Sequence, residues 1–566
     1  MAAPASCPLP MATRLPRRDL SWIIITSACA CWLFAIEIWD WDDWWHLGTG
    51  RWIVENGAIP SADPFSYTAA GQSMIGLPWL AEVALFGAYD IAGSAGLVTL
   101  QIISAFATLC LVGMTLRELG VDPRLTAGHI LLTAFLVQER YARARPETIA
   151  AVFLAAGIWL AVRWWRRNDR SIVGLAPLTL LWIPTHASAT LAPVLLGLLI
   201  AAMAVNQRQR LLLPIATMAV VLAAFGLTQT GRELVELGLR ASRSASPVAI
   251  GITEEWRRPT LADGSIWIPL VLTLASVAAC ARRKRDAVLP IGLALVGLFL
   301  AGRSIRHIAP AVLLAIPTWG LATSHLRAWL LHRPWPLAAR VLPWTLGLGL
   351  SLGHIGLSPL ENNRVAFGFG VVEDRFPSDS VDVLDSLAPG RTIHEMHFGG
   401  YLIWRKVPVF WDGRTVSLYT DHQIVDFFLP AERDEASLER VADHFGVKYG
   451  LSTIESPLGA LMMTSNDWIP VLHGRAATVY VRRKHASELA GAGVPLLTTL
   501  RFTPSWRWNE HWYGRVLSDP EGRADLLRAI RHQQGRNPKA PALRGVLQFL
   551  ERRDPDFYAS LGVAPR

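Results

Sequence analysis

Long apolar runs separated by short polar stretches dominate the first two thirds of the chain. A transmembrane helix needs roughly 20 consecutive, mostly apolar residues, and runs of about that length recur here. The pattern predicts an α-helical polytopic membrane protein with about eleven transmembrane helices. The predicted spans are 20–39, 94–116, 124–138, 147–163, 172–185, 189–205, 211–228, 264–281, 287–302, 307–324 and 341–357.

Basic residues predict the orientation of these spans. Arg14, Arg17 and Arg18 precede the first span, and later loops also carry clusters of Arg and Lys. Such clusters are retained in the cytoplasm, so the N-terminus is expected there, and every basic loop then falls on the same side. An odd number of spans places the C-terminal region outside the cytoplasm. The basic loops are 117–124, 163–170, 207–210, 282–285 and 325–340.

Two long external loops, at 40–93 and 229–263, interrupt the predicted transmembrane domain at 1–357. Within the first loop, residues 44–56 and 79–89 have the pattern of short amphipathic helices that lie along a membrane interface. Their tryptophans fit that depth, because Trp is enriched where lipid headgroups meet water.

From residue 358 onward the composition becomes that of a soluble protein. The pattern predicts an extracytoplasmic α/β domain at 358–484 and a helical C-terminal segment at 485–566. The predicted strands are 391–394, 407–411, 447–452 and 478–482, and the predicted helices of the α/β domain are 379–387, 434–445 and 456–464.

Composition agrees with a membrane protein, because 52% of the 566 residues are hydrophobic and only 17% are charged. The net charge of +9 does not indicate nucleic-acid binding, since the basic residues lie in short clusters between apolar runs and form no basic stripe. The five cysteines have neither a disulfide framework nor metal-site spacing. The favoured location is a bacterial inner membrane, crossed several times.

An acidic run follows the first span. Asp40, Asp42, Asp43 and His46 lie within seven residues, among tryptophans. Asp43 is expected to cap the next helix, but capping alone does not need three carboxylates. At least one of them is therefore a candidate catalytic or metal-binding residue. If a divalent cation binds, Mg²⁺ or Mn²⁺ on Asp40 and Asp42 would suit carboxylate ligands near a phosphate.

Several arginines are predicted on this outer face, although basic residues are usually retained on the cytoplasmic side of a membrane. Arg143, Arg145, Arg303 and Arg306 are all predicted to lie outside the cytoplasm. Arg303, Arg306 and His307 have the spacing of one helix face, if a helix extends that far. The guanidinium fork binds phosphate through two hydrogen bonds, so these residues are candidates to hold an anionic lipid headgroup.

A structural role for the arginines stays open. They could instead pair with Asp42, Glu147 or Glu254 and hold the helices together. A hydrogen-bonded role and a site role are equally open for His186, which stands alone at a predicted helix end. Further candidate residues at the outer face are His46, Glu82, Glu147, His186, Glu254 and Glu255.

A second motif, His394-Glu395-x-His397, has the composition of a zinc-protease sequence. It is one residue too short to place both histidines on one face of a helix, and it lies at the end of a predicted strand. A metalloprotease is therefore disfavoured.

This layout favours transfer chemistry outside the cytoplasm. Nucleotide sugars are absent on that side, so glycosyl transfer there needs a polyprenyl-phosphate-linked donor. One Asp would act as general base on an acceptor hydroxyl, while the arginines and His307 would stabilise the departing phosphate. A single base with direct displacement predicts inversion at the anomeric carbon.

The sequence resembles bacterial multi-spanning proteins of the GT-C glycosyltransferase superfamily. The similarity covers most of the chain and lies in these elements: Asp40-x-Asp42-x-Trp44-Trp45-His46, Asp63-Pro64-Phe65-Ser66-Tyr67, Trp79-Leu80-x-Glu82, Arg145-Pro146-Glu147, His186, Glu255-Trp256, Arg303-x-x-Arg306-His307, Gly399-Gly400-Tyr401 and Asp412-Gly413-Arg414.

The resemblance implies a GT-C-like arrangement of helices and a polyprenyl-phosphate-linked sugar donor. It also implies a glycan, glycolipid or protein acceptor and a catalytic acid at Asp42 or Asp40. The Asp412-Gly413-Arg414 element is either a turn braced by an ion pair or an acceptor contact. Two other functions stay open, namely a transporter or flippase of lipid-linked glycans and a non-catalytic scaffold with a GT-C-like fold.

Overall fold

The computed structural model describes residues 17–74, 78–206, 211–244, 251–260, 262–281, 286–331, 367–415 and 417–562. The predicted span 341–357 lies outside the described residues. The described chain is mostly helical and divides into two compact units. The first unit comprises Met1–Ile59 and Ile75–Val371, and the second comprises Pro60–Met74 and Val372–Arg566.

The described part of the first unit is built from α-helices and short 3₁₀ turns. The α-helices are α1 (Arg17–Ala30), α2 (Asp43–Asn56), α3 (Trp79–Glu118), α4 (Pro123–Tyr141), α5 (Pro146–Arg167), α6 (Leu175–Trp182), α7 (Leu191–Val205), α8 (Leu212–Leu227), α9 (Gln229–Ser244), α10 (Gly264–Cys280), α11 (Val288–Ala301) and α12 (Ile308–Leu331). The 3₁₀ turns are Cys31–Phe34, Ser171–Gly174, Ala187–Thr190, Glu254–Trp256 and Ile305–His307.

Four helical segments of the described chain are long and apolar enough to cross a membrane, and they are Trp79–Glu118, Pro146–Arg167, Ala187–Val205 and Ile305–Leu326. The bent pair Leu212–Leu227 and Gln229–Leu239 adds a fifth if it is one broken span. Shorter apolar helices lie at Asp19–Phe34, Ser171–Trp182, Gly264–Cys280 and Val288–Ala301. The chain is therefore a multi-pass membrane protein, and the number of about eleven spans stays a prediction.

Helix α3 contains a break at the place where the sequence predicts a short interfacial helix to end and a span to begin. Ala92 and Gly93 leave the helical conformation, and Gly93 has a φ of 57°. Only glycine adopts such a φ at little cost, so Gly93 lets the two parts of α3 take different directions. The second part packs against α4 and α5 in the apolar core of this unit.

The second unit contains a four-stranded sheet in the order β1-β2-β4-β3. Its strands are β1 (Arg391–His394), β2 (Val447–Ser452), β3 (Trp468–His473) and β4 (Thr478–Arg482). β1 and β2 are parallel, whereas β4 is antiparallel to both β2 and β3.

Helices of the second unit pack around this sheet and continue to the end of the described chain. They are α13 (Ser378–Ser386), α14 (Gly399–Trp404), α15 (Glu435–His444), α16 (Pro457–Thr464), α17 (Ala486–Gly491), α18 (Trp506–Ser518), α19 (Pro520–Arg536), α20 (Pro541–Arg553) and α21 (Pro555–Ser560), with short helical turns at Asp421–Gln423, Ile424–Phe428 and Leu429–Ala431. The last four helices bury Leu526, Ile530, Leu543, Val546 and Leu550, which the sequence places at helical spacing.

The strand predicted at 407–411 is wrong. Val409 forms a single bridge with Ser66, and the backbone N–H of Phe410 donates to Nε2 of His394 instead of to a sheet neighbour. Pro408 has no N–H to contribute, so this stretch cannot form a regular ladder.

A buried ion network holds Pro60–Met74 against the rest of the second unit. The guanidinium of Arg414 contacts Asp412 at 2.7 Å and Asp63 at 2.8 Å, and all three side chains are almost fully buried. Arg414 also donates to Oγ of Ser66, while the Tyr419 hydroxyl donates to Asp412. The Asp412-Gly413-Arg414 element is therefore a turn braced by ion pairs, which was one of the two predicted roles.

Candidate active site

The backbone just before α2 brings two carboxylates together. Ile36 and Ile38 form bridges with Phe367 and Val371, and the chain then turns into α2. Inside that turn, the backbone N–H of Asp42 donates to Oδ1 of Asp40 at 3.0 Å. The predicted pair Asp40 and Asp42 thus lies immediately before the first turn of α2.

Asp40 is buried and doubly paired. Arg145 Nη2 donates to its Oδ1 at 2.5 Å, and Arg143 Nη1 donates to its Oδ2 at 2.9 Å. Burial opposes ionisation, but Arg145 and Arg143 outweigh it and hold the pKa of Asp40 below its usual range. Asp40 is therefore a permanent carboxylate that fixes two arginines.

Asp42 has a different environment. Its Oδ2 lies 2.9 Å from Arg145 Nη2, yet 25% of its side chain is exposed, compared with 4% for Asp40. Desolvation, together with the negative charges of Asp40 and Glu255, raises the pKa of Asp42 to about 6 against the pull of Arg145. This carboxylate can accept a proton near neutral pH and can be reached from solvent.

The capping role predicted for Asp43 is wrong. Helix α2 begins at Asp43 itself, and neither carboxylate oxygen of Asp43 accepts a hydrogen bond from any described residue. Burial and the negative charge of Asp40 raise the pKa of Asp43 well above its usual range. Burial therefore favours the neutral form of Asp43.

Arg145 is the centre of a larger charge cluster where α4 ends and α5 begins. Its Nη1 donates to Oε2 of Glu255 at 3.3 Å, and Arg140 contacts both Glu255 at 2.5 Å and Glu147 at 2.6 Å. Glu147 lies in the first turn of α5, where a negative charge complements the helix dipole. Altogether four guanidinium groups face four carboxylates, namely Arg140, Arg143, Arg145 and Arg306 against Asp40, Asp42, Glu147 and Glu255.

Arg306 is the most loosely held arginine of this cluster. Its nitrogens lie 3.4 Å from Glu255 and 3.7 Å from Glu147, and no hydrogen bond joins its guanidinium to a described residue. Its guanidinium carbon sits 4.3 Å from the centre of the Trp256 ring, a cation–π arrangement. Arg306 therefore keeps hydrogen-bond donors that an anionic group could use.

The two histidines near Arg306 are fixed by local hydrogen bonds. His307 Nδ1 contacts Oγ of Ser304 at 2.9 Å. His186 Nδ1 accepts from the backbone N–H of Ser188 at 3.1 Å, and its Nε2 lies 3.7 Å from Glu147. Burial lowers the pKa of His186 to about 4, so its ring is neutral at neutral pH.

Arg303 does not join the cluster, so the predicted single helix face for Arg303, Arg306 and His307 is wrong. Helix α11 ends at Ala301, and the extended Ser304 separates it from the turn Ile305–His307. Arg303 is exposed and forms no ion pair with the described residues. The side chain of Glu254 lies outside the described set, whereas its neighbour Glu255 takes the predicted pairing role.

His46 and Glu82 form a buried pair behind the acidic run. His46 Nδ1 lies 3.0 Å from Glu82 Oε1, joining α2 to α3, and the His46 ring stacks on Trp45. Burial, reinforced by the charge of Arg145, lowers the pKa of His46 well below its usual range. This pair links α2 to α3 next to the charge cluster.

The carboxylates of the site do not fit a divalent cation in this arrangement. Both oxygens of Asp40 contact guanidinium groups, and Arg145 bridges Asp40 and Asp42. Among the described residues, no group of three or more His, Cys, Asp and Glu side chains could hold a metal ion. In the second motif, both ring nitrogens of His394 are engaged by backbone groups, which argues against a zinc protease there.

Sequence reasoning gave no site role to three residues of this cluster. Arg140 carries one of the shortest ion pairs of the cluster, while Trp256 and Trp39 stack on Arg306 and Arg143. Trp39 and Trp256 directly adjoin Asp40 and Glu255 in the sequence, so an aromatic residue next to a site carboxylate was an available signal.

Comparison with solved structures identifies the fold of this chain. Scans against protein-family models and against curated proteins find no match. Among solved structures, the archaeal oligosaccharyltransferase AglB from Archaeoglobus fulgidus, in complex with an inhibitory peptide and a dolichol-phosphate, aligns with a TM-score of 0.53 and 14% identity, over 82% of this chain and 74% of that chain. This chain has a GT-C fold.

The apo form of the A. fulgidus oligosaccharyltransferase gives the same TM-score and coverage. ArnT from Cupriavidus metallidurans in the apo state aligns with a TM-score of 0.47 and 13% identity, over 82% of this chain and 98% of that chain. The GT-C architecture predicted from the motif residues is confirmed, and the roles of individual site residues stay predictions.

Proposed function

We propose that this protein is a membrane glycosyltransferase that moves a sugar from a polyprenyl-phosphate-linked donor to an acceptor hydroxyl outside the cytoplasm. The GT-C fold supports this class of activity, and AglB, which shares the fold, has been observed with a dolichol-phosphate. The observation that carries the proposal is the juxtaposition of an accessible carboxylate, Asp42, with a cluster of four arginines. The protein would lie in a bacterial inner membrane with its N-terminus in the cytoplasm.

Asp42 is the proposed general base. The acceptor oxygen forms a bond to the anomeric carbon while its proton passes to Asp42. The bond between that carbon and the phosphate oxygen breaks, and its electron pair leaves with the phosphate. Direct displacement of this kind inverts the anomeric centre. Asp40 keeps Arg143 and Arg145 beside the reacting groups and does not itself need to accept a proton.

Arg306 is the proposed main contact to the donor phosphate. Its guanidinium forms no hydrogen bond with the described residues, only ion contacts at 3.4 and 3.7 Å, whereas Arg143 and Arg145 both donate to Asp40. A phosphate can therefore bind Arg306 without breaking a short ion pair. The departing phosphate gains negative charge, which a preorganised guanidinium stabilises. The acceptor would be a glycan, a glycolipid or a protein.

The neighbouring Arg303 supplies a matched control for this assignment. Cells that carry Arg306→Ala or Arg303→Ala at equal protein levels would be profiled for envelope glycans and for polyprenyl-phosphate-linked sugars. Arg306→Ala is expected to reduce one glycan species and to accumulate its lipid-linked donor, while Arg303→Ala resembles wild type. Equal behaviour of the two variants would refute the phosphate role, and unchanged glycans would favour a scaffold or a flippase.

A further inference from the structure

A groove lies in the C-terminal helical part of the second unit, and the proposed chemistry does not use it. It has a volume of about 420 Å³ and opens beside α18 and the start of α19. Small-molecule sites typically have volumes of about 300–1,000 Å³, so the groove is large enough for a ligand. Its wall includes Thr498, Thr499, Trp512, Arg515 and Glu521.

The floor of the groove is held rigidly. The Trp512 ring stacks in parallel on Trp508 at 5.4 Å, and the buried Arg501 lies 5.3 Å from the centre of the Trp512 ring. Arg501 is itself fixed by hydrogen bonds to three backbone carbonyls. A side chain that is already ordered loses little entropy when a ligand binds, so Trp512 is a preformed surface.

Several polar groups in the wall have no protein partner. The Nε1–H of Trp512 is buried and has no acceptor among the described residues. The Arg515 guanidinium stacks over Trp512 at 5.5 Å but forms no hydrogen bond or ion pair with the described chain, and neither does the Glu521 carboxylate. The exposed donors of Arg515 and acceptors of Glu521 are therefore available to a ligand in the groove.

The charge of the wall selects the chemistry of a ligand. Three carboxylates, Asp519, Glu521 and Asp525, line the groove with Arg515. Arg528 pairs with Asp525, so one negative charge of the wall remains in excess. An excess of negative charge disfavours a phosphate or an anionic lipid headgroup. A neutral polyol fits, because its hydroxyl groups can accept from Arg515 and donate to Glu521. The apolar surface of Trp512 and Val516 suits the C–H side of a sugar ring.

We propose that this groove binds a sugar residue of a neutral glycan, which makes it an acceptor-binding site remote in sequence from Asp42. The assignment rests on the proposed function for its biological meaning, since a glycosyltransferase must hold its acceptor. It narrows the three acceptor classes to those that present a glycan.

The test is direct binding to the full-length protein in lipid nanodiscs. Neutral oligosaccharides of gluco, manno and galacto configuration would be titrated by isothermal calorimetry. At least one of them is expected to bind wild type saturably and to bind Glu521→Gln and Arg515→Ala about tenfold more weakly, as expected for lost charge-assisted hydrogen bonds. Both side chains are exposed in part, so these variants should fold.

Trp506→Ala is the matched control, because Trp506 lies on the same helix, is 58% exposed and does not line the groove. Its affinity should equal that of wild type. The proposal is overturned if no oligosaccharide of the panel binds, if Trp506→Ala weakens binding as much as Glu521→Gln does, or if a lysine-rich peptide, and no oligosaccharide, binds the groove.

The same titration separates this proposal from the glycosyltransferase proposal. Asp42→Asn should bind the oligosaccharide like wild type, because Asp42 belongs to the other unit. If oligosaccharide binds but Asp42→Asn leaves the envelope glycans unchanged, the transfer reaction is refuted and the groove assignment stands. If Asp42→Asn abolishes a glycan but no oligosaccharide binds, only the groove assignment fails.

Discussion

Three neighbouring carboxylates in this chain have three different electrostatic environments. Asp40 is neutralised by two arginines, Asp42 shares one arginine and is partly exposed, and Asp43 is buried without a hydrogen-bond partner among the described residues. Burial favours the neutral form of an acid, and a nearby guanidinium favours the charged form. The three groups are therefore suited to three different tasks, and only Asp42 has a pKa near neutrality and an exposed carboxylate, as the proposed general base requires.

The pH dependence of transfer should follow the ionisation of Asp42. The kcat/KM of transfer should rise with pH through about 6 and then level off, because Asp42 accepts a proton only when it is ionised. Glu255→Gln removes a negative charge that raises this pKa, so the midpoint of the rise should move to lower pH. Initial rates of both proteins across this range would check the shift. A midpoint that stays in place or moves upward would contradict the assignment of Asp42.

Sequence reasoning reached part of this picture at the level of residues. The positive-inside pattern placed Asp40, Asp42, Arg145 and Arg306 on one face, and they do lie in one cluster. The sequence pattern could not show that Asp43 is more deeply buried than Asp42, because this burial depends on how α2 packs. Nor could it show that Arg306 joins the charge cluster and Arg303 does not, since this depends on where α11 ends.

At the level of elements, the contact between α2 and α3 determines where Asp42 lies. Gly50 of α2 lies against the backbone of α3, so that a Cβ at this position would be 2.1 Å from the carbonyl oxygen of Glu82. One turn earlier, the hydrogen bond between His46 and Glu82 joins the same two helices. These contacts hold the first turn of α2, and with it Asp42, beside the arginines.

Gly50→Ala should therefore impair both folding and transfer. The added methyl group must push α2 away from α3, which costs about 1–3 kcal/mol of stability. Gly87→Ala on α3 is the control, because its Cβ would meet nothing within 4 Å. The midpoint of chemical denaturation in detergent, together with the envelope glycan profile, would be compared. Equal stability of the two variants would show that the helices are not tightly packed at Gly50.

The sheet shows where periodicity is a poor guide to elements. Strands β1, β2 and β4 have the bounds predicted from their apolar pattern, but β3 was missed. Every residue of β3 is buried, so its sequence does not alternate, and Pro470 argues against a central strand. The structure accommodates Pro470 because β3 is at the edge of the sheet and its register shifts between Pro470 and Leu472.

At the level of the whole molecule, the long loop after α2 contributes to both compact units. Pro60–Met74 belongs to the second unit, although the sequences on either side of it belong to the first. Its anchor is the ion pair between Asp63 and Arg414, which are 351 positions apart in the chain. No local pattern links residues at that separation, so the sequence alone could not identify this contact.

Arg414→Ala should destabilise the second unit strongly. It leaves Asp63 and Asp412 buried without their counter-ion, which typically costs about 3–5 kcal/mol. Arg475→Ala removes an exposed pair with Glu373 and should cost at most about 1 kcal/mol. Chemical denaturation monitored by tryptophan fluorescence would measure both. A loss for Arg414→Ala as small as that for Arg475→Ala would contradict a stabilising role for the buried network.

Asparagine substitutions at the adjacent carboxylates Asp42 and Asp43 should have opposite effects on glycan transfer. Cells carrying wild type, Asp42→Asn or Asp43→Asn at matched protein levels would be profiled by mass spectrometry for envelope glycans and polyprenyl-phosphate-linked sugars. Asp42→Asn is expected to abolish one glycan and to accumulate its lipid-linked donor. Asp43→Asn should retain that glycan, because burial favours the neutral form of Asp43, which an amide matches in charge, and its oxygens accept no hydrogen bond from the described residues. A normal glycan profile in Asp42→Asn cells would contradict the proposal that Asp42 is the base of a glycosyl transfer.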